Sequence, residues 1–308
     1  MGRNSRVALA IAVLIGMMGS AAAQERGLLG YGHLFNNDGL AAAQDRWRTG
    51  SYQISVLHGR EWQGSLPEGI GQVLEFRLRA EIIAPSNLAR PVPLNDRRYV
   101  GILAPGVHTH FGFLGTEVSL GADLVITGPQ TGLDDFQDFT HELFGATNPR
   151  ADRTQIGNSF YPTARAEVGR EFRIAGRTNL RVRPFVEAQA GAETFARVGA
   201  DITFGRFGLG GLRLRDPVSG QRFSGIQDEG GAGLSLLVGG DVAYVHDSRF
   251  LSRSPAVEKR DVRERLRGGL QLDWGFGSMF YGITWLGREF EGQPEGQLVG
   301  SLNLHLSF

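Results

Sequence analysis

The stretch "LVGSLNLHLSF", residues 298–308, alternates apolar and polar side chains with a period of two. In a β-strand, successive side chains point to opposite faces, so one face of this stretch would be apolar and the other polar. The apolar face would carry Leu298, Gly300, Leu302, Leu304, Leu306 and Phe308. The pattern therefore predicts an amphipathic strand at the end of the chain. A closed barrel would accommodate it, and so would a β-sandwich with an edge strand at its C-terminus.

The same alternation recurs in runs of roughly ten residues, which is typical of outer-membrane β-barrels. The segments are 27–36, 49–60, 72–84, 98–109, 112–127, 161–174, 179–191, 193–205, 231–245, 262–275, 278–289 and 298–308. Many of the 45 glycines fall inside these segments, where a barrel uses glycine for bends and close backbone approach. We therefore predict an all-β fold, an antiparallel transmembrane β-barrel of about 12 strands. The terminal Phe308 resembles the signal by which such barrels engage the barrel assembly machinery.

The N-terminal stretch "MGRNSRVALAIAVLIGMMGSAAAQ" has the features of a secretory signal peptide. A short positive region, an apolar run and three alanines precede Gln24 in that order. A transmembrane anchor is the alternative, but the apolar run is too short to span a bilayer comfortably. We predict that residues 1–23 are removed and that residues 24–308 form a single barrel domain in the outer membrane of a Gram-negative bacterium.

The composition excludes several other classes of protein. The chain has 32 basic and 32 acidic residues, so it lacks the basic excess of a nucleic-acid-binding protein. Cysteine is absent, so no disulfide can stabilise the exported chain. The G-x-S-x-G motif of many hydrolases is absent as well. We predict a monomer without a nucleic-acid partner.

The loops between the predicted strands should alternate between the two faces of the membrane. If the first strand starts on the periplasmic side, the outer loops are 37–48, 85–97, 128–160, a tight turn near 192, 246–261 and 290–297. The inner loops include 61–71, 175–178 and 276–277. One inner loop, 206–230, is too long for a periplasmic turn. This length implies either an uncounted pair of strands or an extension of the eighth and ninth strands beyond the membrane.

The third outer loop has a helical pattern. In "TGLDDFQDFTHELFG", residues 131–145, the apolar residues Leu133, Phe136, Phe139, Leu143 and Phe144 recur at helical spacing. We predict a short helix that Thr131 caps in a capping-box arrangement and that Gly145 ends. Its apolar face would point toward the barrel or toward the lipid.

The candidates for chemistry lie in the first and third outer loops. His141 shares roughly one face of the predicted helix with Asp134 and Gln137. A histidine beside carboxylates can act as a general base because its pKa is near neutral pH, although a solvated histidine on an acidic helix is the alternative. In the first loop, Asn37 and Asp38 precede a glycine, which taken alone indicates a turn more than a metal site.

Taken together, these stretches resemble the outer-membrane lipid A 3-O-deacylases, a family of calcium-dependent twelve-stranded barrels. The resemblance covers nearly the whole mature chain. Its motifs are "NNDGL" (36–40), "DRWRTGSY" (45–52), "AEIIAPSN" (80–87), "NDRRYVG" (95–101), "GPQTGLDDFQDFTHELFG" (128–145) and "GREFEGQ" (287–293). It implies an esterase that removes the 3′-position acyloxyacyl chain of lipid A, the membrane anchor of lipopolysaccharide, in the outer leaflet.

The resemblance also implies a site. Asn37, Asp38, Thr49 and His141 match the family's site positions, with His141 as the general base, Asp38 as a ligand of Ca²⁺, and calcium stabilising the oxyanion. Four arginines could bind lipid A phosphates, since guanidinium suits phosphate, or could form ion pairs at the rim: Arg46, Arg48, Arg97 and Arg98. The family site also has a lysine, but Lys259, in another outer loop, is the only lysine here. That role is therefore missing or falls to an arginine.

Two other functions remain open at this point. One is a barrel without enzymatic activity, either a pore or a structural protein with a degenerate site. The other is a phospholipase-like hydrolase with a serine nucleophile, which needs a serine and a histidine on one strand face. His305 and Ser307 have that spacing, and His58 and Ser55 have it only loosely. Neither pair has a visible orienting partner.

Overall fold

The computed structural model describes residues 26–42, 45–88, 92–145, 154–174, 179–227, 232–251, 257–274 and 276–306. The predicted signal peptide and Phe308 lie outside these residues. The strands are β1 (Gly27–Asn37), β2 (Trp47–Gly59), β3 (Val73–Ala84), β4 (Val100–Phe113), β5 (Thr116–Thr127), β6 (Ser159–Gly169), β7 (Phe172–Arg173), β8 (Leu180–Ala190), β9 (Glu193–Phe204), β10 (Leu212–Arg215), β11 (Arg222–Ile226), β12 (Gly233–Ser248), β13 (Val262–Asp273), β14 (Gly277–Leu286) and β15 (Gln297–Leu306).

Twelve of these strands form a closed antiparallel barrel, which confirms the predicted fold class. The wall consists of β1–β6, β8, β9 and β12–β15, each paired with its neighbours along the chain. β6 pairs directly with β8, and β15 pairs with β1 through the register Phe35↔Leu302, Asn36↔Ser301 and Asn37↔Gly300. Closure leaves no free edge in the wall, so the β-sandwich alternative is excluded.

The two faces of the wall have opposite character. On β15, Leu298 and Leu304 are exposed, whereas Ser301 and Asn303 are buried inside the barrel. The other wall strands show the same alternation, with leucine, valine and aromatic side chains on the outer surface and charged side chains inside. A lipid-facing apolar surface around a polar interior is the pattern of an outer-membrane barrel. Among the described residues, no helix is long and apolar enough to cross a membrane.

The third long loop at the rim contains the predicted helix, α1 (Leu133–Phe144). Gly145 ends it with a left-handed backbone, φ 68°, as predicted. The predicted capping box is wrong, because the N-cap is Gly132 and no side chain caps the helix. Thr131 instead ends a short 3₁₀ turn (Pro129–Thr131) that leads the chain from β5 into the helix. A second 3₁₀ turn (Asp38–Leu40) follows β1 at the same rim.

The long inner loop is neither an extra pair of wall strands nor an extension of its neighbours. β10 and β11 form a hairpin that pairs with no wall strand, and its side chains bond to strands on several sides of the barrel. Arg215 pairs with Glu167 of β6 and Asp201 of β9, and Arg222 pairs with Glu117 of β5. A hairpin that reaches so many wall strands lies inside the lumen.

This inner hairpin, Leu212–Ile226, also forms the apolar core of the barrel interior. The cluster contains Leu34, Leu57, Val73, Phe207, Leu212, Leu214, Phe223, Ile226, Leu237 and Phe280. Burying each large apolar side chain contributes about 1.5–3 kcal/mol. β1 allows the close packing because a Cβ at Gly32 would lie only 2.3 Å from the Ser224 carbonyl oxygen, and one at Gly30 would lie 2.5 Å from the Gly225 carbonyl oxygen. The hairpin therefore fills the lumen against β1.

Candidate active site

A bulge at the start of β2 sets the direction of Thr49. Farther along this strand, Ser51 and Ser55 face the lumen, so strict alternation would place Thr49 there as well. The pairing with β3 instead slips between Trp47 and Gly50, and Trp47 has a positive φ of 52°. As a result Arg48 enters the lumen, whereas Thr49 contacts the first outer loop. A bulge beside an active site commonly re-aims a side chain in this way.

Asp38 is buried under this bulge, in the 3₁₀ turn that follows β1. Its Oδ2 accepts hydrogen bonds from the backbone N of Arg46 at 2.9 Å and from Nε2 of Gln297 at 3.3 Å. Its Oδ1 lies 3.2 Å from Oγ1 of Thr49. Burial raises the pKa of Asp38 from 3.8 to about 7, opposed by the Arg46 hydrogen bond and reinforced by the charge of Asp45.

Asp45 connects the first outer loop to the helix. Its Oδ2 lies 3.1 Å from Nε2 of His141, and its Oδ1 accepts a hydrogen bond from Oγ1 of Thr49 at 2.5 Å. Gln137, one turn before His141 on α1, points its amide to the same carboxylate. The structure therefore brings His141, Thr49 and Asp38 together, and Asp45 is the residue that joins them.

The Thr49 hydroxyl lies between two carboxylates but has only one proton to donate. The short contact with Asp45 uses that proton. The longer contact with Asp38 then places two oxygens together without a proton between them, unless Asp38 is protonated or a cation is present. An amide, Asn37, completes this oxygen-rich environment, and its Oδ1 caps the 3₁₀ turn by accepting from Gly39 N at 2.7 Å.

The helix places its polar face on the site and its apolar face outward. Gln137 is buried and His141 is largely buried, whereas Phe136, Phe139 and Leu143 are 57%, 61% and 66% exposed. Of the two predicted directions for the apolar face, the outward one is therefore correct. On the outward face of β15, a Cβ at Gly300 would lie 2.5 Å from Cβ of Leu40 in the 3₁₀ turn, and one at Gly101 of β4 would lie 3.1 Å from Cβ of Leu133 at the start of α1. The turn and the helix therefore lie against the outside of the wall, and the site between them opens toward the surroundings of the barrel and not toward its lumen.

The four candidate arginines divide into two pairs. Arg97 is buried, Arg48 is largely buried, and both bind Glu289. The guanidinium groups of Arg48, Arg97 and Arg263 hold the pKa of this carboxyl low although it is largely removed from solvent. Arg46 lies at the rim, stacks on the Trp47 ring and pairs with Glu295, and Arg98 is exposed. This placement favours ion pairs for the buried pair and leaves phosphate binding as a prediction for Arg46 and Arg98.

The remaining candidates lie apart from this site. Lys259 pairs with Asp261 and donates to the Val245 carbonyl oxygen. Ser55 faces the lumen and donates to Glu75, whereas the ring of His58 packs on Phe76 at the outer surface. These two residues lie on opposite faces of β2, so they cannot act together. Ser307 lies outside the described residues.

Sequence reasoning missed two residues that hold the site together. From the sequence, Asp45 is only the first residue of the motif "DRWRTGSY", and Gln297 belongs to no motif. The side chain of Gln297 bonds to Asp38 and to the backbone of Arg46 and Arg48, on either side of Trp47. The motif that begins at Asp45 was the available signal for that residue. No local pattern indicates Gln297, because its backbone partners Arg46 and Arg48 are more than 240 residues away in the sequence.

A family profile described as "Outer membrane protein LpxR" matches residues 8–308 of the chain. Among solved structures, LpxR from Salmonella typhimurium superimposes with a TM-score of 0.73, at 18% identity, over 91% of this chain and 100% of that chain. The β domain of the Bordetella autotransporter BrkA gives 0.44 at 12% identity, covering 92% of this chain and 99% of that one. OccK11 (OpdR) of Pseudomonas aeruginosa gives 0.33 at 8% identity, covering 93% and 67%. No curated protein sequence matches.

Proposed function

Because this chain belongs to the LpxR family of outer membrane proteins, we propose that it is a lipid A 3-O-deacylase of the outer leaflet. Its substrate would be the ester that joins the acyloxyacyl chain to the 3′ position of lipid A. One observation carries the proposal: Asp45 joins Thr49 of the first loop to His141 of the third loop at the outer side of the wall. A site in that place faces membrane lipid.

His141 is the proposed general base. Its imidazole would take a proton from the water that attacks the ester carbonyl. The Asp45 carboxylate, 3.1 Å from Nε2, orients the ring and stabilises the charged form that appears after proton transfer. Gln137 holds this carboxylate from the preceding helical turn. The polar face of α1 thus supplies the base and helps to fix its partner.

The oxygens around Thr49 suit a hard divalent cation. Calcium prefers carboxylate, hydroxyl, amide and backbone oxygens, and Asp38, Asp45, Thr49 and Asn37 offer only such donors. The described residues contain no cluster of three or more His, Cys, Asp or Glu side chains that could hold a metal. A cation here would therefore need neutral oxygens and water besides Asp38 and Asp45. Calcium bound there would supply a Lewis acid for the oxyanion.

The protein residues around Asp38 have a separate task. Asn37 keeps the 3₁₀ turn closed through its hydrogen bond with Gly39, and this turn presents Asp38 beneath the bulge. Thr49 holds Asp45 and faces Asp38, so it spaces the two carboxylates. In the proposed mechanism, these residues position the cation-binding oxygens relative to His141.

The substrate would lie between the rim and the lipid-facing surface. Phe136, Phe139 and Leu143 form an apolar face on α1 that can pack against acyl chains, because their large side chains are exposed. Arg46 and Arg98 at the rim would meet the phosphates of lipid A. The rim then binds the charged headgroup while the helix binds the hydrocarbon, which matches the two ends of an amphipathic lipid.

The test is mass spectrometry of lipid A from cells that express the wild type or His141→Ala. The wild type should produce lipid A that lacks the mass of one acyloxyacyl chain. His141→Ala should reduce this product about 100-fold or more, because general-base catalysis contributes about 10²–10⁴-fold. His246→Ala, which removes an exposed histidine on β12, is the matched control and should behave as the wild type. Wild-type lipid A identical to that of the empty vector would reject the enzymatic function.

A barrel without enzymatic activity is the remaining alternative, and it predicts unchanged lipid A in every strain. A pore would in addition conduct ions, which the filled lumen opposes. The monomeric state and the recognition of Phe308 by the assembly machinery stay predictions.

A further inference from the structure

Gln297 is the first residue of β15, and its buried side chain lies between that strand and the first outer loop. Its Oε1 accepts a hydrogen bond from the backbone N of Arg48 at 3.0 Å. Its Nε2 donates to the carbonyl oxygen of Arg46 at 2.6 Å and to Oδ2 of Asp38 at 3.3 Å. One amide thus holds the backbone on either side of Trp47, where the bulge begins, and also reaches the carboxylate of Asp38.

These hydrogen bonds fix the orientation of the Asp38 carboxylate. Oδ2 accepts from the Arg46 backbone N and from the Gln297 amide, so this oxygen is occupied by donors. Oδ1 is left facing Thr49. Without the amide, Oδ2 would keep the Arg46 backbone N as a donor, but the loop that carries this donor would lose the hydrogen bonds that join Arg46 O and Arg48 N to β15.

We propose that Gln297 is a positioning residue that presents Oδ1 of Asp38, and the bulge with Thr49, to a bound divalent cation. This inference rests on the proposed function. It goes beyond it by assigning part of the site to the C-terminal strand. Because Gln297 begins β15, whose pairing with β1 closes the barrel at Asn37↔Gly300, the cation site is complete only in the closed barrel.

The experiment measures calcium binding by the purified full-length barrel in detergent. Calcium chloride is added to chelator-treated protein, and the midpoint of thermal unfolding is followed as calcium rises. In Gln297→Met, which keeps the length of the side chain but removes the amide, the calcium concentration for half-maximal stabilisation should rise about 10- to 100-fold, as for other residues that orient metal ligands. The calcium concentration for half-maximal deacylation should rise in parallel.

The matched control is Gln293→Met. Gln293 is also a buried glutamine of this rim, but its amide binds the Glu289 backbone N and the Glu295 carbonyl oxygen, away from Asp38. Its calcium response should stay within about twofold of the wild type, a change that is small beside the 10- to 100-fold effect of losing a ligand-orienting residue. Heat-modifiable migration on gels verifies that each variant forms a closed barrel.

Three results would contradict this inference, and they distinguish its failure from failure of the proposed function. A calcium response of Gln297→Met equal to that of the wild type overturns the role of Gln297 while leaving the proposed function intact. If the wild type shows no calcium response, the proposed cation site and this inference are both wrong. Deacylation without calcium would then still support the proposed enzymatic function. If Gln297→Met and Gln297→Ala both fail to form a barrel while Gln293→Met succeeds, Gln297 serves barrel assembly and the inference is wrong.

Discussion

At the scale of single residues, the site depends on a carboxylate whose surroundings oppose its charge. Asp38 is buried beside Asp45, and these surroundings raise its pKa to about 7. A buried acid with a raised pKa keeps its proton at a pH where an exposed aspartate has lost it. A proton and the proposed divalent cation would therefore compete for this group near neutral pH.

This competition predicts a pH-dependent response to calcium. In chelated protein, a group whose pKa is higher in the folded than in the unfolded state stabilises the fold below its unfolded pKa. That stability is lost as pH rises toward about 7. Calcium should reverse the trend, because the ionised form binds it. The thermal midpoint should thus respond to calcium strongly at pH 8 and weakly at pH 5.5.

Asp38→Asn should remove the calcium response at both pH values, because the amide carries no charge. Asp247→Asn replaces a more exposed aspartate that pairs with Arg249, away from the site, and should retain the wild-type response. An Asp38→Asn variant that still gains stability from calcium at pH 8 would place the cation elsewhere.

At the scale of elements, the polar and apolar faces of α1 are oriented oppositely to those of a surface helix on a soluble protein. Its buried face carries Gln137 and His141, and its exposed face carries Phe136, Phe139 and Leu143. In water such a face would be an unfavourable apolar patch. Under the proposed function it would lie against acyl chains of the outer leaflet, so the helix would gain its apolar partner from the membrane while its polar face completes the candidate site.

The double variant Phe136→Ser/Phe139→Ser tests this arrangement. Both side chains are exposed, so stability in detergent should change by less than about 0.5 kcal/mol for each. KM for lipid A in mixed micelles should rise about tenfold or more. Burial of each aromatic side chain against the substrate would contribute about 1.5–3 kcal/mol to binding. The kcat should change little, because both side chains lie on the exposed face of α1 and His141 lies on the buried face.

Asp135→Ser, another exposed position on α1, serves as the control for disturbance of the helix and should leave KM unchanged. An unchanged KM in the double phenylalanine variant would show that the acyl chains bind away from this helix.

At the scale of the whole molecule, the barrel is a filled cylinder. The inner hairpin contributes Arg215 and Arg222 to ion pairs with three wall strands, and Gln221 bonds to β13 and β14. Asn36 of β1 binds Asp216 at the turn of the hairpin. Breaking one buried ion pair by removing a partner commonly costs about 3–5 kcal/mol. A hairpin held by several of them does not leave the lumen spontaneously.

The filled lumen predicts that the wild type conducts no ions across a planar lipid bilayer. Replacing residues 212–226 with a short glycine–serine linker should produce discrete channel openings, because the polar wall would then surround water. Heat-modifiable migration verifies that the variant is folded. Channel activity of the wild type, or a folded variant that stays closed, would contradict the plug and reopen the pore hypothesis.

The sequence predicted the wall well because alternation is a local property. Each predicted strand overlaps a wall strand, and six loops meet at the rim that carries the site. The inner hairpin was missed because Arg213, Arg215 and Arg222 look like the side chains of a solvated loop. In a lumen lined with carboxylates, such residues are buried, and a pattern of polar and apolar letters cannot distinguish this interior from water.

The residues of the candidate site were predicted in part, for a related reason. Asn37, Asp38, Thr49 and His141 were named from a resemblance, and the structure brings them together. No role was predicted for Asp45 or Gln297, because each acts through a segment far away in the sequence: Asp45 contacts His141 of the third loop, and Gln297 of β15 contacts Asp38. The direction of Thr49 depends on the bulge after Trp47, and no residue in that stretch of sequence indicates a shift in strand register.

That bulge affects more than the direction of one side chain. With Thr49 turned to the outside of the wall, a lipid substrate of the proposed site would diffuse laterally within its own monolayer to reach it, and the product would leave by the same route. The encounter would then be a search in two dimensions. We expect its rate to follow the number of substrate molecules per unit of membrane area, so dilution of the cells should leave turnover unchanged, whereas foreign lipid mixed into the leaflet should slow it.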